Sequence, residues 1–328
     1  MMKICIYGAG AIGGLIGVRL GLLGEVALSV VARGETLQAL TREGWSLQTG
    51  EELANVQVRA SDKPEKLGEQ DVVFIALKAT AIAGIVDAIQ PLIGPDTIII
   101  PAMNGLPFWF SSHVPALRGA VLERIDPGAR LAHAIPSARV LGCVVHASAY
   151  CASPGRVVHK RGLELIVGEP AGGESARVRM LTDILVKAGF EARASANISF
   201  DVWYKLWGNM TMNPVSALTG APCDRLLADP LVREFCSQAM NEAAEIGRAI
   251  GLDVGQSAED RHAVTEKLGS FRTSMLEDVD AHRAIELDAL VGGIYELGQR
   301  LAIATPAIAG LYGITRLFAR ERGLYPPV

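Results

Sequence analysis

The stretch Lys3-Ile4-Cys5-Ile6-Tyr7-Gly8-Ala9-Gly10-Ala11-Ile12-Gly13-Gly14 decides the reading of this chain. A short apolar run, predicted as a strand over Lys3–Tyr7, passes directly into G-x-G-x-x-G, and a helical pattern over Ala11–Leu23 follows. Each glycine has its own physical reason. Gly8 permits the tight turn, Gly10 lets a pyrophosphate approach the backbone, and Gly13 lets the helix pack close to the strand. The helix start then offers unpaired N–H groups and a positive dipole end to phosphates. The competing reading is a glycine-rich turn with no ligand. Strand, loop, helix and a second predicted strand over Val26–Val31 favour a dinucleotide instead, held by Gly8, Ala9, Gly10, Ala11, Ile12 and Gly13.

The end of that second strand selects the cofactor. Sites that prefer NAD usually place Asp or Glu there, against the ribose 2′-hydroxyl. Here the strand ends Val30-Val31-Ala32-Arg33-Gly34, with no carboxylate. Arg33 is placed to pair with a 2′-phosphate, and guanidinium–phosphate pairing is strong and geometrically selective. NADP(H) is therefore expected, against the alternative that Arg33 is a solvated surface group.

Strand and helix signals continue to alternate from this start. Asp71–Leu77 reads as a strand followed by a helix through Ile89, then a strand over Thr97–Pro101. Continuous apolar strands between helices predict a parallel sheet. Strands over Arg139–Ser148, Arg156–Lys160 and Leu163–Val167, separated by tight Gly and Pro turns, predict an antiparallel extension of that sheet. A helix over Glu174–Ala188 and a strand over Glu191–Ser195 complete the α/β part. Beyond Asn197 strand patterns vanish, and helices are predicted over 199–212, 230–250, 257–269, 277–302 and 305–323. The expected division is an α/β domain over 1–196 and an all-α domain over 197–328. The stretch from Leu106 to Ser137, with Phe108-Trp109-Phe110, reads either as a lid or as a surface elaboration.

Composition excludes several classes. The chain has 328 residues, enough for two domains with cores of their own. Half the residues are hydrophobic, one fifth are charged, and mean hydropathy is +0.28. No apolar run reaches the roughly 18 residues of a membrane span, so no membrane partner is expected. A net charge of −4 without a basic cluster argues against nucleic acid. The five cysteines form no C-x-x-C, and no secretory leader precedes Lys3, which fits a cytoplasmic protein. Six scattered histidines lack ligand spacing, so no metal is expected. The long apolar helices expected near the end of the chain have more hydrophobic surface than one small layer buries, which suggests a homodimer through the helical domain.

Three pieces of sequence stand apart from ordinary core or surface. Lys78 follows a predicted parallel strand, whose carboxyl end faces the ligand crevice in such sheets. It is there to meet a cofactor or an anionic substrate, or it simply faces solvent. Asn104, in Met103-Asn104-Gly105, is placed to donate to a substrate carbonyl, or it forms a plain Asn-Gly turn. Lys205, Asn209 and Asn213 recur at i, i+4 and i+8 and share one helix face. A polar stripe beside Trp203, Leu206, Trp207 and Met210 is costly unless it lines a wet or ligand-filled cleft, the alternative being an exposed face. Ser274 precedes a predicted long helix bearing Glu286, which either pairs with Lys205 or is an ordinary surface carboxylate; spacing does not choose.

At these residues the sequence resembles the ketopantoate reductases (2-dehydropantoate 2-reductases). The likeness rests on the Gly8–Gly13 loop, Leu77-Lys78-Ala79, Asn104-Gly105, Trp203-Tyr204-Lys205-Leu206 with Asn209 and Asn213-Pro214, and Ser274-Met275-Leu276 followed by Glu286. It implies a Rossmann domain, a helical domain like that of 6-phosphogluconate dehydrogenase, and an active site in the cleft between them. It implies NADPH-dependent reduction of a 2-oxo acid, by default ketopantoate to pantoate in pantothenate and coenzyme A biosynthesis. Lys205 matches the lysine that protonates the nascent alkoxide, and Glu286 the carboxylate beside it. Lys78 and Asn104 match cofactor- and substrate-contacting positions, Asn209, Asn213 and Ser274 substrate-binding ones, and Arg33 the 2′-phosphate arginine. Two positions depart: where family members often carry asparagine, this chain has Cys223 and Phe271. A less polar pocket is expected from these two. The alternatives are a reductase of a different, less polar 2-oxo acid and a non-catalytic NADP(H)-binding sensor.

Overall fold

The computed structural model describes residues 1–327 and divides the chain into two compact units. The first comprises Met1–Met103 and Arg130–Asp201; the second comprises Asn104–Ala129 and the chain from Val202 on.

The first unit holds two sheets. Strands β1 (Met2–Tyr7), β2 (Val26–Val31), β3 (Trp45–Thr49), β4 (Glu52–Val56), β5 (Arg59–Ser61), β6 (Gln70–Ile75), β7 (Ile93–Pro101), β8 (Gly142–Ser153), β9 (Arg156–Gly168) and β10 (Glu191–Ser195) follow in chain order. One sheet has the order β5-β2-β1-β6-β7, and all four of its pairings are parallel. This is the Rossmann-like arrangement. Successive strands run outward on one side of β1 and then resume on its other side, so the carboxyl end of β1 is the switch point where such sheets bind ligands.

The second sheet is mixed and separate. β9 is long enough to pair with β8 antiparallel along its length, and with β3 and β10 in parallel on its other edge. The β8–β9 pair is antiparallel as expected, but it builds this second sheet rather than extending the first. The two predicted strands over Arg156–Lys160 and Leu163–Val167 are one strand, β9. The hairpin β3–β4 went unread in the sequence, although Trp45-Ser46-Leu47 alternates and Thr49-Gly50-Glu51 is a turn signal.

Helix α1 (Ala11–Leu22) packs against strands of both sheets. That explains why it is apolar on every side: Leu15, Ile16, Val18 and Leu20 are all fully buried. Trp45 of β3 lies so close that a Cβ on Gly17 would stand 2.4 Å from its ring. Trp45 is wholly buried, and its truncation to alanine would cost about 3–5 kcal/mol. After β6 the predicted helix shrinks to one α turn, Ala79–Ile82, with 3-10 turns beyond it. Helices α2 (Gly34–Glu43) and α3 (Ala176–Lys187) complete the unit.

The second unit contains α4 (Ile198–Thr219, whose first turn belongs to the first unit), α5 (Cys223–Ala228), α6 (Pro230–Ala249), α7 (Ala258–Lys267), α8 (Ser274–Asp280), α9 (Gly293–Arg300) and α10 (Pro306–Glu321). The helix predicted over 277–302 is broken. After α8 the chain is non-helical until Leu287, and a π-helical turn over Asp288–Gly292 leads into α9. The stretch from Leu106 to Ser137 is divided between the units, with residues through Ala129 in the second and those from Arg130 in the first. Phe108, Trp109 and Phe110 are buried in the second unit, with the Phe110 ring stacked 6.3 Å from that of Trp203. The buried Glu296 carboxylate accepts the N–H groups of Glu123 and Arg124, each at 3.0 Å. No helix among the described residues is long and apolar enough to cross a membrane.

Candidate active site

Each unit carries one cluster. In the first it is built from backbone. Gly8 takes φ +112°, and a Cβ there would meet the Leu77 side chain at 2.7 Å and the Ala76 carbonyl at 2.8 Å. Its N–H donates to the Val31 carbonyl at 3.1 Å, while Ala76 N–H donates to the Tyr7 carbonyl at 2.9 Å. The turn is thus tied to β2 on one side and to the exit of β6 on the other. A Cβ on Gly13 would fall 2.0 Å from the Gly8 oxygen, so only glycine lets α1 begin this close to the strand.

Gly10 behaves differently. It is exposed, and a Cβ there would meet nothing within 4 Å. It is also the N-cap of α1 and brings no side-chain cap. The first N–H groups of an α-helix have no intrahelical acceptor. A twelve-residue helix therefore presents uncapped donors beside bare backbone, which is what a pyrophosphate requires. Arg33 follows β2 as the exposed N-cap of α2. Its charge reaches the Tyr7 phenol, whose pKa is raised by burial and drawn partly back down by Arg33. No carboxylate stands between Val30 and Gly34. Lys78 is half-buried and caps the short helix after β6. Gly8–Gly13, Arg33 and Lys78 all follow carboxyl ends of parallel strands, on one edge of the sheet. These residues fit a dinucleotide.

In the second unit the cluster is built from side chains. Lys205, on α4, donates from Nζ to Asn104 Oδ1 at 2.7 Å, across 101 residues of sequence. Both are half-buried. The Asn104-Gly105 turn is pinned: Leu106 N–H donates to the Ala289 carbonyl at 2.9 Å. Gly105 has φ +84°, and a Cβ on it would lie 2.3 Å from that same oxygen. Asn209 is half-buried and Asn213 is buried one and two turns beyond Lys205.

Two placements depart from expectation. Glu286 is not carried on a long helix; it lies half-buried in the non-helical segment before the π turn, with its carbonyl accepting Leu290 N–H at 3.1 Å. Ser274 is the exposed first residue of α8, and the capping hydroxyl there belongs to Thr273. Sequence reasoning also passed over Asp288, Tyr312 and Tyr325, which are joined through their polar atoms. No spacing rule links residues that meet only after the chain has broken its helix.

Comparison with known proteins places both halves of the chain in one family. Residues 4–172 match the family model of ketopantoate reductase PanE/ApbA, and residues 197–319 match that of the ketopantoate reductase PanE/ApbA C terminal. A 2-dehydropantoate 2-reductase of Mesorhizobium japonicum is 39% identical, over 99% of this chain and all of that one. A ketopantoate reductase homologue from Ralstonia solanacearum MolK2 is 49% identical in its crystal structure, with a TM-score of 0.95 over 99% of this chain and 100% of that one. The fold is also that of a D-mandelate dehydrogenase solved with NADH and anilino(oxo)acetate, at 20% identity and TM-score 0.85 over 98% of this chain and 100% of that one. With both halves matched by the family's own models and a relative aligned along nearly its whole length, the chain belongs to the ketopantoate reductase PanE/ApbA family.

Proposed function

We propose that this protein reduces a 2-oxo acid with NADPH, and that 2-dehydropantoate, reduced to pantoate for pantothenate synthesis, is its substrate. The observation that carries the reading is the Lys205–Asn104 hydrogen bond in the helical unit. An ammonium has three N–H donors, and one of them is committed to Asn104 Oδ1. That bond orients both groups: the Asn104 carboxamide turns its NH2 outward as a donor, and Lys205 is held for an oxygen acceptor. The Gly8–Gly13 cradle holds the pyrophosphate, Arg33 the 2′-phosphate, and Lys78 adds a cation on the same sheet edge.

The cofactor, when bound, supplies a hydride to the carbonyl carbon of the oxo acid. As the C=O bond is reduced, negative charge gathers on its oxygen. Lys205 stabilises that charge and transfers its proton to the oxygen, so the ketone becomes a secondary alcohol and the lysine is left neutral. Donors aimed at developing charge are the strongest electrostatic contribution available to such a site, and general-acid assistance contributes roughly 10²–10⁴-fold. Glu286 is assigned, by the family likeness, to the carboxylate beside that lysine. Asn209, Asn213 and Ser274 are assigned to the polar groups of the substrate.

A second substrate reading has its own observation. Cys223 and Phe271, which stand where family members often carry asparagine, are neighbours: Cys223 N–H donates to the Phe271 carbonyl at 3.0 Å. Both pack in one apolar cluster with Met212 and Leu226. A joint loss of two amides favours a bulkier, less polar oxo acid. A kinetic panel of 2-oxo acids with NADPH and with NADH decides. Highest kcat/KM with 2-dehydropantoate and NADPH supports the first reading, and a preference for an apolar oxo acid supports the second. Cofactor binding without turnover of any member rejects both.

A further inference from the structure

The segment that carries Glu286 is fastened on both sides by two consecutive residues far along the chain. Ile285 N–H donates to the Leu324 carbonyl at 3.0 Å. The Tyr325 hydroxyl donates to Asp288 Oδ2 at 2.7 Å. Tyr312 takes the other carboxylate oxygen at 2.6 Å, and its own oxygen accepts from Arg124 at 2.6 Å. Burial, the neighbouring phenol and Asp288 raise the Tyr325 pKa, so its hydroxyl stays a donor at neutral pH.

Asp288 opens the π-helical turn Asp288–Gly292. Such turns are rare and recur at functional sites. The next residue, Ala289, is the one whose carbonyl supports the Asn104-Gly105 turn. A continuous run of contacts therefore passes from Tyr325 through Asp288 and Ala289 to Asn104 and Lys205. Every member lies in the second unit.

We propose that Tyr325 and Asp288 are positioning residues for the reduction: they lock the π turn so that Glu286, ahead of it, and the Asn104–Lys205 pair, resting on it, keep the geometry needed for proton delivery. The proposal rests on the reading of Lys205 as proton donor. A shift of about 1 Å at such a site can cost on the order of 10²-fold in rate. Losing one of two phenol–carboxylate bonds should cost less than that.

The test uses the full chain, the best 2-oxo acid of the panel, and NADPH with or without deuterium at the transferred position. Tyr325→Phe keeps the ring, over which Arg320 lies at 5.4 Å, and removes only the hydroxyl. Expected is a kcat reduced about tenfold, a KM for NADPH within about twofold, and a larger deuterium isotope effect on kcat, because the chemical step has slowed relative to release. Asp288→Asn retains one acceptor oxygen and should show the same pattern more weakly. It also serves if Tyr325→Phe does not fold. A wild-type kcat overturns the proposal, as does a loss of kcat with an unchanged isotope effect, which is what a smaller folded fraction would give. Lys205→Ala run alongside separates the two claims. If it retains turnover, the reading of the site fails; if it is inactive while Tyr325→Phe is normal, only the positioning role fails.

Discussion

The glycine cradle of the first unit and the Lys205–Asn104 pair of the second solve opposite problems. The cradle works by lacking side chains: Gly8, Gly10 and Gly13 lie within six positions, and every feature follows from where a Cβ would collide or find open space. The pair works through side chains drawn from residues 101 apart, and it depends on a pinned turn and a broken helix to bring them together. Binding that uses backbone is local and robust to changes elsewhere. Proton delivery that uses side chains inherits the accuracy of everything that supports them.

That contrast can be broken at either end. The largest effect is expected from Lys205→Ala: kcat should fall by about 10²–10⁴-fold while the Kd for NADPH, followed by fluorescence titration, stays near wild type. A kcat within a few-fold of wild type would erase the division of labour. Gly13→Ala attacks the other side. Its methyl must displace the Gly8 carbonyl, 2.0 Å away, so NADPH affinity should drop about 100-fold, equivalent to roughly 2.7 kcal/mol. An unchanged Kd would mean that the dinucleotide does not rest on this turn. Arg33→Ala sharpens the picture of the cradle by removing the cation assigned to the 2′-phosphate. It should lower kcat/KM with NADPH about 10- to 100-fold and leave NADH unaffected, in line with the roughly 1.5–3 kcal/mol of a charge-assisted hydrogen bond.

The smallest effect concerns pH. His262 is buried on α7, with Nε2 3.0 Å from the Ser237 hydroxyl; burial, then the nearby Arg233 charge, lowers its pKa. An unfolded histidine titrates near 6.5. Between that value and the lower folded one the unfolded chain binds more protons. Its contribution to stability is therefore complete above about pH 6.5 and is lost as pH falls through the folded pKa. Thermal melts should show Tm dropping a few degrees more steeply between about pH 7 and pH 5 in the wild type than in His262→Gln. Equal slopes would remove His262 from the account.

What could be read from sequence follows the same line between local and assembled structure. The strand β2 falls where its apolar run lies, β10 has the bounds expected of it, and α1 begins at the glycine loop, because each is dictated within about ten residues. The hairpin at Trp45 and the short helix Cys223–Ala228 were missed for want of length. The break after α8 is hidden because Ile285, Leu287, Leu290 and Ile294 keep a helical period through a segment that is not all helix; Ile285 is buried, but its N–H goes to the Leu324 carbonyl. At the site, helical spacing could group Lys205 with Asn209 and Asn213, and position after a strand could single out Asn104, but neither could say that Asn104 and Lys205 meet. Nothing in the spacing announced that Ala289 would carry the turn.

The path of the chain also bears on its birth and its dissection. It leaves the first unit at Asn104, returns at Arg130, and leaves again after Asp201. Leu106, Phe108, Trp109 and Phe110 are therefore synthesised well before Trp203 and the helices that bury them. Until those arrive, the emerging chain carries an aromatic loop with nothing to cover it. A fragment cut at residue 196 would keep that loop permanently exposed, and a fragment begun at 197 would lack part of its own core. The two units can be told apart in space, but no single cut in the gene separates them.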